Sequence, residues 1–315
     1  MLEDLAMPHP VIIDCDPGHD DALALLMLGK SKELNLLGVT VCAGNQTLDK
    51  TVFNTLRILT LAGMTPRVAA GARKPLSNKI TPVSDIMGES GLDGATLPEP
   101  ALAVEALSAV ELIADLLRQS EDKVTLIATG PLTNVATFLI GWPSLHAKIE
   151  RIVLMGGGTF GNVSPVAEFN FHTDPVAADI VFQSGTPIVM SGLDVTYQAL
   201  IFEDEIEQIR KLESPVSIAT ADMLSYYLQH IVQKGYSKEG AHLHDPCTIA
   251  WLLAPDLFTI EPAYIMVETF NGYCLGASVI DYYGKLSGKP CNAEVMTTIN
   301  RIGFVDLIKD RIACY

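Results

Sequence analysis

Short apolar runs rich in β-branched residues alternate with longer segments of helical periodicity over most of this sequence. The first run covers residues 11–13, and the helical segment that follows, 20–28, begins with two aspartates that suit a helix N-terminus. This alternation is typical of βαβ units, in which a helix connects two parallel strands. We therefore predict an α/β fold: a mostly parallel open sheet with helices on both faces and a helical insertion near the functional site, at residues 200–255.

The remaining predicted elements continue this alternation. Further strands are predicted at 36–41, 67–70, 124–128, 152–155, 188–190, 263–280 and 292–298. Further helices are predicted at 48–62, 103–118, 132–139, 174–183, 245–253 and 305–312, with two more between 203 and 235. Residues 74–100, rich in Pro, Gly and Ser, are predicted to form a long loop, which in a compact domain is usually a lid or a binding loop.

Length and charge limit the classes of protein to which the chain can belong. The 315 residues contain no internal repeat, low-complexity tract or obvious linker, so we expect one α/β domain over residues 1–315. Hydrophobic residues make up 49% of the chain, which excludes a disordered protein. The net charge of −16 and the absence of a basic cluster argue against nucleic acid or membrane partners, because an acidic surface repels phosphates and anionic lipids.

The cysteines and the apolar runs bear on the compartment. Six cysteines lie far apart without a Cys-x-x-Cys pair, which favours free thiols in a reducing compartment over a disulfide framework or a zinc site. No apolar run approaches the length that spans a bilayer, and residues 1–10 lack the basic start and apolar core of a signal peptide. We therefore expect a cytoplasmic protein.

Four aspartates follow the first predicted strand within eight residues: Asp14, Asp16, Asp20 and Asp21. Carboxylates this close repel one another unless a positive charge lies among them. A hard cation held by oxygen ligands would remove the repulsion, and the turn at Pro17-Gly18 lets Asp21 fold back towards Asp16. The alternative is an acidic helix N-terminus, which accounts for Asp20 or Asp21 but not for all four residues.

Further polar residues follow the other predicted strands, where the ligands of open α/β sheets bind. These residues are Asn45, Thr129, Asn134, Asn162, Glu168, Asn170, His244 and Asp245. Each has a structural alternative, such as a turn for Asn45 or a helix cap for Asp245. Glu168 and Asn170 have the i, i+2 spacing of a strand, so both can face one way. A Gly-x-Ser-x-Gly nucleophile motif is absent, and the glycines at 156–158 are not followed by a predicted helix, which makes a dinucleotide site a weak hypothesis.

Several of these segments resemble the signature blocks of one enzyme family. Residues 11–22 read Val-Ile-Ile-Asp-Cys-Asp-Pro-Gly-His-Asp-Asp-Ala, and further blocks occur in the expected order at 43–46, 129–134, 155–157, 168–175 and 244–246. The chain thereby resembles the calcium-dependent ribonucleoside hydrolases, the inosine-uridine preferring and pyrimidine-type nucleoside hydrolases. The resemblance implies hydrolysis of the N-glycosidic bond of ribonucleosides to ribose and free base. One such block would only be suggestive; several in order are specific.

The resemblance also implies roles at the matching positions. The carboxylates of Asp16, Asp21 and Asp245 and the main-chain carbonyl of Thr129 would hold Ca²⁺, and Asp16 would be the general base for a calcium-bound water. The implied ribose contacts are Asp20 and Asn170 at the 2′ and 3′ hydroxyls, Asn162 and Glu168 at the 5′ hydroxyl, and Asn45 over the sugar. Such a ring of carboxylates and amides suits a sugar that becomes positive as the bond breaks.

The resemblance implies fewer residues for the part of the site that would bind the nucleobase. His244 is the candidate that assists the leaving base, and Tyr227 and Ile231 would line the base pocket. Some pyrimidine-preferring members carry a histidine just before the Gly-x-x-Gly-Leu-Asp-Gly segment, whereas Met87 precedes it here. Purine or pyrimidine preference therefore stays open, as do the roles of His172, His230 and His242. The resemblance further implies a homodimer or homotetramer that acts in purine and pyrimidine salvage.

Two other functions remain as alternatives. Haloacid-dehalogenase-like phosphatases also place Asp-x-Asp after their first strand and bind a divalent metal. In those enzymes a Thr or Val usually stands two residues after the second Asp, whereas this chain has Gly18 at that position. Asp20 and Asp21 have no role in that scheme. A non-catalytic nucleoside-binding protein of the same fold would require the loss of a ligand or of the base, and neither is missing from the sequence.

Overall fold

The computed structural model describes residues 7–77 and 79–315. The expectation about a signal peptide concerns a segment that lies mostly outside this part of the chain. The strands are β1 His9–Cys15, β2 Leu34–Val41, β3 Arg67–Ala70, β4 Val124–Ala128, β5 Ile149–Met155, β6 Ile188–Ser191, β7 Leu200–Ile201, β8 Ala241–His242, β9 Phe258–Val267, β10 Ser278–Tyr282 and β11 Ala293–Ile299.

The α-helices alternate with these strands as far as β7. They are α1 His19–Gly29, α2 Leu48–Leu61, α3 Ser84–Met87, α4 Ala109–Gln119, α5 Thr133–Gly141, α6 Phe169–Thr173, α7 Pro175–Phe182, α8 Leu193–Thr196, α9 Glu203–Arg210, α10 Pro215–Gln233, α11 Pro246–Leu253 and α12 Arg301–Ile312. The helical insertion predicted at 200–255 contains α9, α10 and α11 together with the small antiparallel pair β7–β8.

Nine strands form one sheet in the order β10-β9-β11-β6-β5-β4-β1-β2-β3. All neighbouring strands from β3 to β11 are parallel. The two pairings of β9, with β11 and with β10, are antiparallel. The predicted α/β fold with a mostly parallel sheet is therefore confirmed.

Both faces of the sheet are buried, because successive strand residues point to opposite faces. In β1, Val11 and Ile13 pack into the core on one face, where α1, α2 and α10 to α12 lie. Ile12 between them packs into the core on the other face, with α4, α5 and α7. This arrangement accounts for strands that read as continuous apolar runs.

The position of β1 determines where a ligand can bind. The chain proceeds from β1 to β2 and β3 on one side and then returns to place β4 on the other side of β1. Connections at this reversal leave the sheet in opposite directions, so a crevice opens at the carboxyl ends of β1 and β4. The segment after β1 contains Asp16, and Thr129 follows β4 directly.

Several predicted elements differ from the structure. Helix α4 begins at Ala109 instead of 103, because the Ser108 hydroxyl accepts a hydrogen bond from the Glu111 amide and the Glu111 carboxylate accepts one from the Ser108 amide. The predicted strand 263–280 is two strands, β9 and β10, with a turn between them. The predicted loop at 74–100 includes the single-turn helix α3. Among the described residues, none of the helices is both long and apolar enough to cross a membrane.

Candidate active site

The predicted site residues meet in one cavity at the carboxyl ends of the parallel strands. Those that line it are Asp20, Asn45, Thr129, Asn162, Glu168, Asn170, Tyr227, Ile231, His244 and Asp245. Asp16 and Asp21 do not line the cavity and are buried beside it, 1% and 0% exposed. Residues from both ends of the chain thus come together at the crevice that the sheet order opens.

The turn from β1 into α1 positions the aspartates. Asp21 accepts a hydrogen bond from the Gly18 amide at 3.1 Å, which satisfies a free N–H in the first turn of α1. The other Asp21 oxygen accepts a hydrogen bond from the Thr129 hydroxyl at 2.7 Å. The side-chain nitrogen of Asn45 lies 3.2 Å from the Asp21 oxygen that binds the Gly18 amide. Asp21 therefore caps its helix and also connects the segments that follow β2 and β4.

Three carboxylates gather around one point. Asp20, Asp21 and Asp245, which we name the acidic triad, each offer an oxygen within 4.8 Å of the others. Asp245 precedes α11, and its side chain makes no capping hydrogen bond to that helix. Burial, followed by the charge of Asp21, raises the pKa of Asp20 to about 7, and burial raises the pKa of Asp21 and of Asp245 as well. The predicted metal ligand set contained Asp21 and Asp245, whereas Asp20 was assigned to the ribose.

Asp16 lies next to the triad in a close-fitting pocket. Its Oδ2 accepts a hydrogen bond from the main-chain amide of Asn45 at 2.6 Å, whereas its buried Oδ1 has no partner among the residues that the structure describes. A Cβ at Gly44 would lie 2.1 Å from Oδ2, and a Cβ at Gly130 would lie 2.5 Å from Oδ1, so glycine is required at both positions. Burial and the charge of Asp21 raise the pKa of Asp16 well above its usual range.

These side chains fit a bound cation. Four buried carboxylates, an unpartnered carboxylate oxygen and the absence of Lys or Arg among the cavity-lining residues leave a strongly negative site. Oxygen donors alone, without thiolate or imidazole in the triad, suit a hard divalent ion. The pKa values raised by burial and mutual repulsion would return towards normal with a positive charge at this point.

Asp14, the first aspartate of the motif, does not join this group. Its Oδ1 accepts hydrogen bonds from the Thr40 hydroxyl at 2.6 Å and from the Asn134 amide at 2.8 Å. Asn134 in turn accepts a hydrogen bond from the Ala72 amide at 2.8 Å. Asp14 and Asn134 therefore connect β1, β2 and α5 behind the cavity and do not line it.

The segment with Glu168 and Asn170 is a helix start, so the predicted strand-like spacing was wrong. Glu168 caps α6: its Oε1 accepts a hydrogen bond from the Asn170 amide, and its Oε2 from the Phe171 and Gly157 amides, at 2.9 to 3.1 Å. Both residues nevertheless line the same cavity. Burial raises the pKa of Glu168 to about 7.

The side-chain amide oxygens of Asn170 and Asn162 remain available to a ligand. The Asn170 nitrogen donates to the main-chain carbonyls of Thr129 at 2.8 Å and Met155 at 3.1 Å, which orients its oxygen away from them. The Oδ1 of Asn162 is buried without a hydrogen-bond partner in the described part of the chain. The Thr129 carbonyl, a predicted metal ligand, thus already accepts one hydrogen bond and retains a second lone pair.

His244 lines the cavity and directly precedes Asp245 of the acidic triad. Its Nδ1 lies 2.8 Å from the Thr196 hydroxyl, so Nε2 is the nitrogen left for a ligand. Loss of solvent contact, with a smaller effect of His242, lowers the pKa of His244 to about 3. At neutral pH the ring is uncharged, and with Thr196 donating to Nδ1 it presents an Nε2–H.

The part of the cavity formed by α3 and α10 is lined by apolar and aromatic side chains. Helix α10 contributes Tyr227 and Ile231, as expected, and α3 contributes Ile86 and Met87. His19 stacks against both Tyr226 and Tyr227, with ring centroids 5.6 Å apart in each case, and donates from Nε2 to the Asp93 carbonyl at 2.7 Å. His19 therefore connects α1 to α10 and to the segment that contains Asp93.

Sequence reasoning missed several cavity residues, among them Tyr197, Tyr236 and His242. Tyr197 follows β6 and α8, so the rule that ligands bind after parallel strands would have found it had it been applied to β6. His242 lies in the two-residue strand β8, which is too short to show a periodicity.

Comparisons with known proteins identify the family of this chain. A sequence model of the family described as "Inosine-uridine preferring nucleoside hydrolase" matches residues 11–306. Pyrimidine-specific ribonucleoside hydrolase RihA of Shewanella sp. (strain MR-4) is 52% identical over 311 residues, which are 98% of each chain. RihA of Escherichia coli O127:H6 is 50% identical over 311 residues, 98% of this chain and 100% of the relative.

Solved structures show the same fold. The purine-preferring ribonucleoside hydrolase from Gardnerella vaginalis superimposes with a TM-score of 0.90 at 32% identity, over 97% of this chain and 98% of that one. These findings do not support the phosphatase alternative or the non-catalytic alternative. The chain belongs to the inosine-uridine preferring nucleoside hydrolase family and is a ribonucleoside hydrolase, which cleaves the N-glycosidic bond of ribonucleosides.

Proposed function

We propose that this enzyme preferentially hydrolyses pyrimidine ribonucleosides, with Ca²⁺ as its cation. The observation that carries the substrate preference is the 52% identity over nearly the full chain to an enzyme named pyrimidine-specific. Members of the nucleoside hydrolase family are generally metal-dependent, and the acidic triad provides a matching site.

The cation would be held by Asp16, Asp21, Asp245 and the main-chain carbonyl of Thr129. All are oxygen ligands, which supports Ca²⁺ over zinc or another metal that prefers nitrogen and sulfur. When bound, the cation supplies positive charge that offsets carboxylate repulsion and makes a coordinated water more acidic.

Asp16 is proposed as the general base. Its Oδ1 lacks a partner, whereas its Oδ2 is held by the Asn45 amide, so Oδ1 is the atom that accepts a proton from the attacking water. Gly44 and Gly130 restrict movement of the carboxylate from either side. The base is thus fixed before the substrate binds.

The ribose is proposed to lie over the triad. Asp20 and the Asn170 oxygen would accept hydrogen bonds from the 2′ and 3′ hydroxyls, while Asn162 and Glu168 would bind the 5′ hydroxyl and Asn45 would lie over the sugar. The unpartnered Oδ1 of Asn162 supports its role, since a hydroxyl would satisfy it. As the glycosidic bond breaks, positive charge on the sugar would be stabilised by these negative and dipolar oxygens.

His244 is proposed to stabilise the leaving base. With a pKa of about 3, its ring is neutral at neutral pH. Its contribution is then an Nε2–H hydrogen bond to the negative charge that develops on the base. Tyr227 and Ile231 provide the apolar contact surface for the base.

Steady-state hydrolysis of uridine, cytidine and inosine by the calcium-loaded enzyme tests the proposal. We expect kcat/KM for at least one pyrimidine nucleoside to exceed that for inosine by about 10-fold or more, the scale on which pocket contacts discriminate. Equal rates with inosine would contradict the pyrimidine preference while leaving the hydrolase activity intact. Release of ribose measured with each substrate provides a common signal for all three.

We further propose that residues 1–315 act as one domain in a cytoplasmic homodimer or homotetramer that serves purine and pyrimidine salvage, without nucleic acid or membrane partners. The net charge of −16 supports the last point, because it disfavours contact with phosphate-rich surfaces. Light scattering after size-exclusion chromatography tests the oligomeric state, and a monomeric mass would contradict it.

A further inference from the structure

His242 lies in the cavity wall with no role yet assigned. It ends β8, and His244 follows two residues later. Residues two apart in an extended segment lie on the same side, and both imidazoles line the cavity with ring centroids 5.9 Å apart. The segment before α11 therefore presents two histidines to the substrate.

The ring of His242 is held in place by aromatic contacts. It stacks on Tyr197 with ring centroids 4.2 Å apart and planes at 25°. Phe160 packs edge-on against Tyr197 at 5.1 Å. Because Tyr197 also lines the cavity, the stacked pair forms one continuous face towards the ligand.

Main-chain groups of Tyr236 and Tyr197 lie near the His242 ring, but one ring nitrogen lacks a hydrogen bond of good geometry. The side chain is 9% exposed, and its Nδ1 is buried without a hydrogen bond to the described part of the protein. Burial lowers the pKa of the ring, so it is neutral and offers one donor and one acceptor. A buried polar nitrogen that is unpaired is costly in a structural core and is expected where a ligand supplies the partner.

The position of His242 identifies the part of the substrate it can meet. The carboxylates proposed for the cation and the ribose are those of the acidic triad, Asp16 and Glu168, whereas His242 lies beside His244, the residue proposed for the leaving base. We propose that His242 is a specificity-determining residue that hydrogen bonds to the polar edge of the nucleobase. This inference rests on the proposed placement of the base.

A neutral histidine suits both pyrimidines. Uracil presents an N–H next to a carbonyl, and cytosine presents a ring nitrogen acceptor next to an amino group. An imidazole can exchange its donor and acceptor nitrogens between tautomers, so one ring can pair with either base. A residue with a fixed donor would not have this freedom.

Three variants separate hydrogen bonding from stacking. His242→Phe retains a ring against Tyr197 and removes both nitrogens. His242→Asn and His242→Gln place an amide near the positions of Nδ1 and Nε2 and remove the stack. The control is His230→Phe, since His230 stacks on Tyr226 at 3.9 Å but does not line the cavity.

The readout is kcat/KM for uridine, cytidine and inosine against p-nitrophenyl riboside, whose leaving group lacks the polar edge of a base. For His242→Phe we expect a loss of about 10-fold with the preferred nucleoside and less than about 2-fold with p-nitrophenyl riboside, as for one hydrogen bond. Either the Asn or the Gln variant should recover part of the ratio between kcat/KM for the nucleoside and kcat/KM for p-nitrophenyl riboside. His230→Phe should not change this ratio. Calcium affinity of each variant is measured in parallel.

Equal losses on all substrates, or no loss, would overturn the assignment. A Phe variant that retains discrimination better than both amides would assign His242 to stacking and would also overturn it. If the wild type prefers inosine, the pyrimidine proposal fails, but the ratio of inosine to p-nitrophenyl riboside still decides whether His242 binds the base.

Discussion

Removal of the cation should make the stability of this enzyme depend on pH in an unusual direction. Asp20 has a pKa of about 7 in the folded chain and 3.8 as an ordinary carboxyl, because it is buried beside Asp21. Folding therefore favours its protonated form. The stabilisation is complete below pH 3.8 and is lost as the pH rises through about 7.

The magnitude follows from these two values. Between pH 5.5 and 8.5 the titration of Asp20 alone lowers the free energy of unfolding by about 2 kcal/mol. At about 2 °C per kcal/mol for a chain of this size, Tm falls by about 4 °C. The pKa values of Asp21 and Asp245 are raised as well, which adds to the effect. Ca²⁺ at about 100 times its Kd adds about 2.7 kcal/mol to the stability.

The assay is thermal unfolding at pH 5.5 and 8.5, with excess chelator and with excess Ca²⁺. We expect the chelated protein to unfold at a lower temperature at pH 8.5, and Ca²⁺ to stabilise it more at pH 8.5 than at 5.5, because protons compete with the cation. Asp20→Asn should reduce the pH dependence, while Asp204→Asn, on the exposed side of α9, should not. A chelated protein whose Tm is flat or rises with pH would refute the reasoning.

Three further predictions concern catalysis. Asp16→Asn should lower kcat for uridine by at least about 10³-fold, as for loss of a general base, whereas Asp204→Asn should retain activity; near-normal turnover would place the base elsewhere. His244→Ala should lower kcat by about 10²-fold with uridine and far less with p-nitrophenyl riboside, and equal losses with calcium still bound would reduce His244 to a structural role. Asn162→Ala should lower kcat/KM for uridine by about 10-fold but leave 5′-deoxyuridine nearly unchanged, and a matching loss with both substrates would remove its assignment to the 5′ hydroxyl.

The edge of the sheet that carries the site was predictable from local sequence. Asp16, Asn45 and Thr129 each follow a buried strand whose apolar pattern is clear, and parallel strands bring such residues to one edge. The sheet order was not predictable in detail, because each β-branched run can pair with several others.

Other site residues depend on packing that no local pattern reveals. Asp245 lies 224 residues after Asp21 in the sequence, and its role as a metal ligand was predicted only through the family resemblance. Helix α6 has five residues, fewer than two turns, so Glu168 and Asn170 could not be distinguished from a strand by periodicity. Tyr197 and His242 stack on each other across separate elements, a contact that the tertiary structure alone creates.

The acidic triad has a consequence for how the chain completes its folding. Asp20 and Asp21 leave the ribosome well before their third partner, Asp245, which follows 224 residues after Asp21 in the sequence. Until α11 docks against α1, the early segment holds two adjacent carboxylates without the rest of their site. Tight cation binding therefore serves as a signal that both distant parts of the chain have reached their native positions, and a metal titration becomes an assay of folding as well as of catalysis.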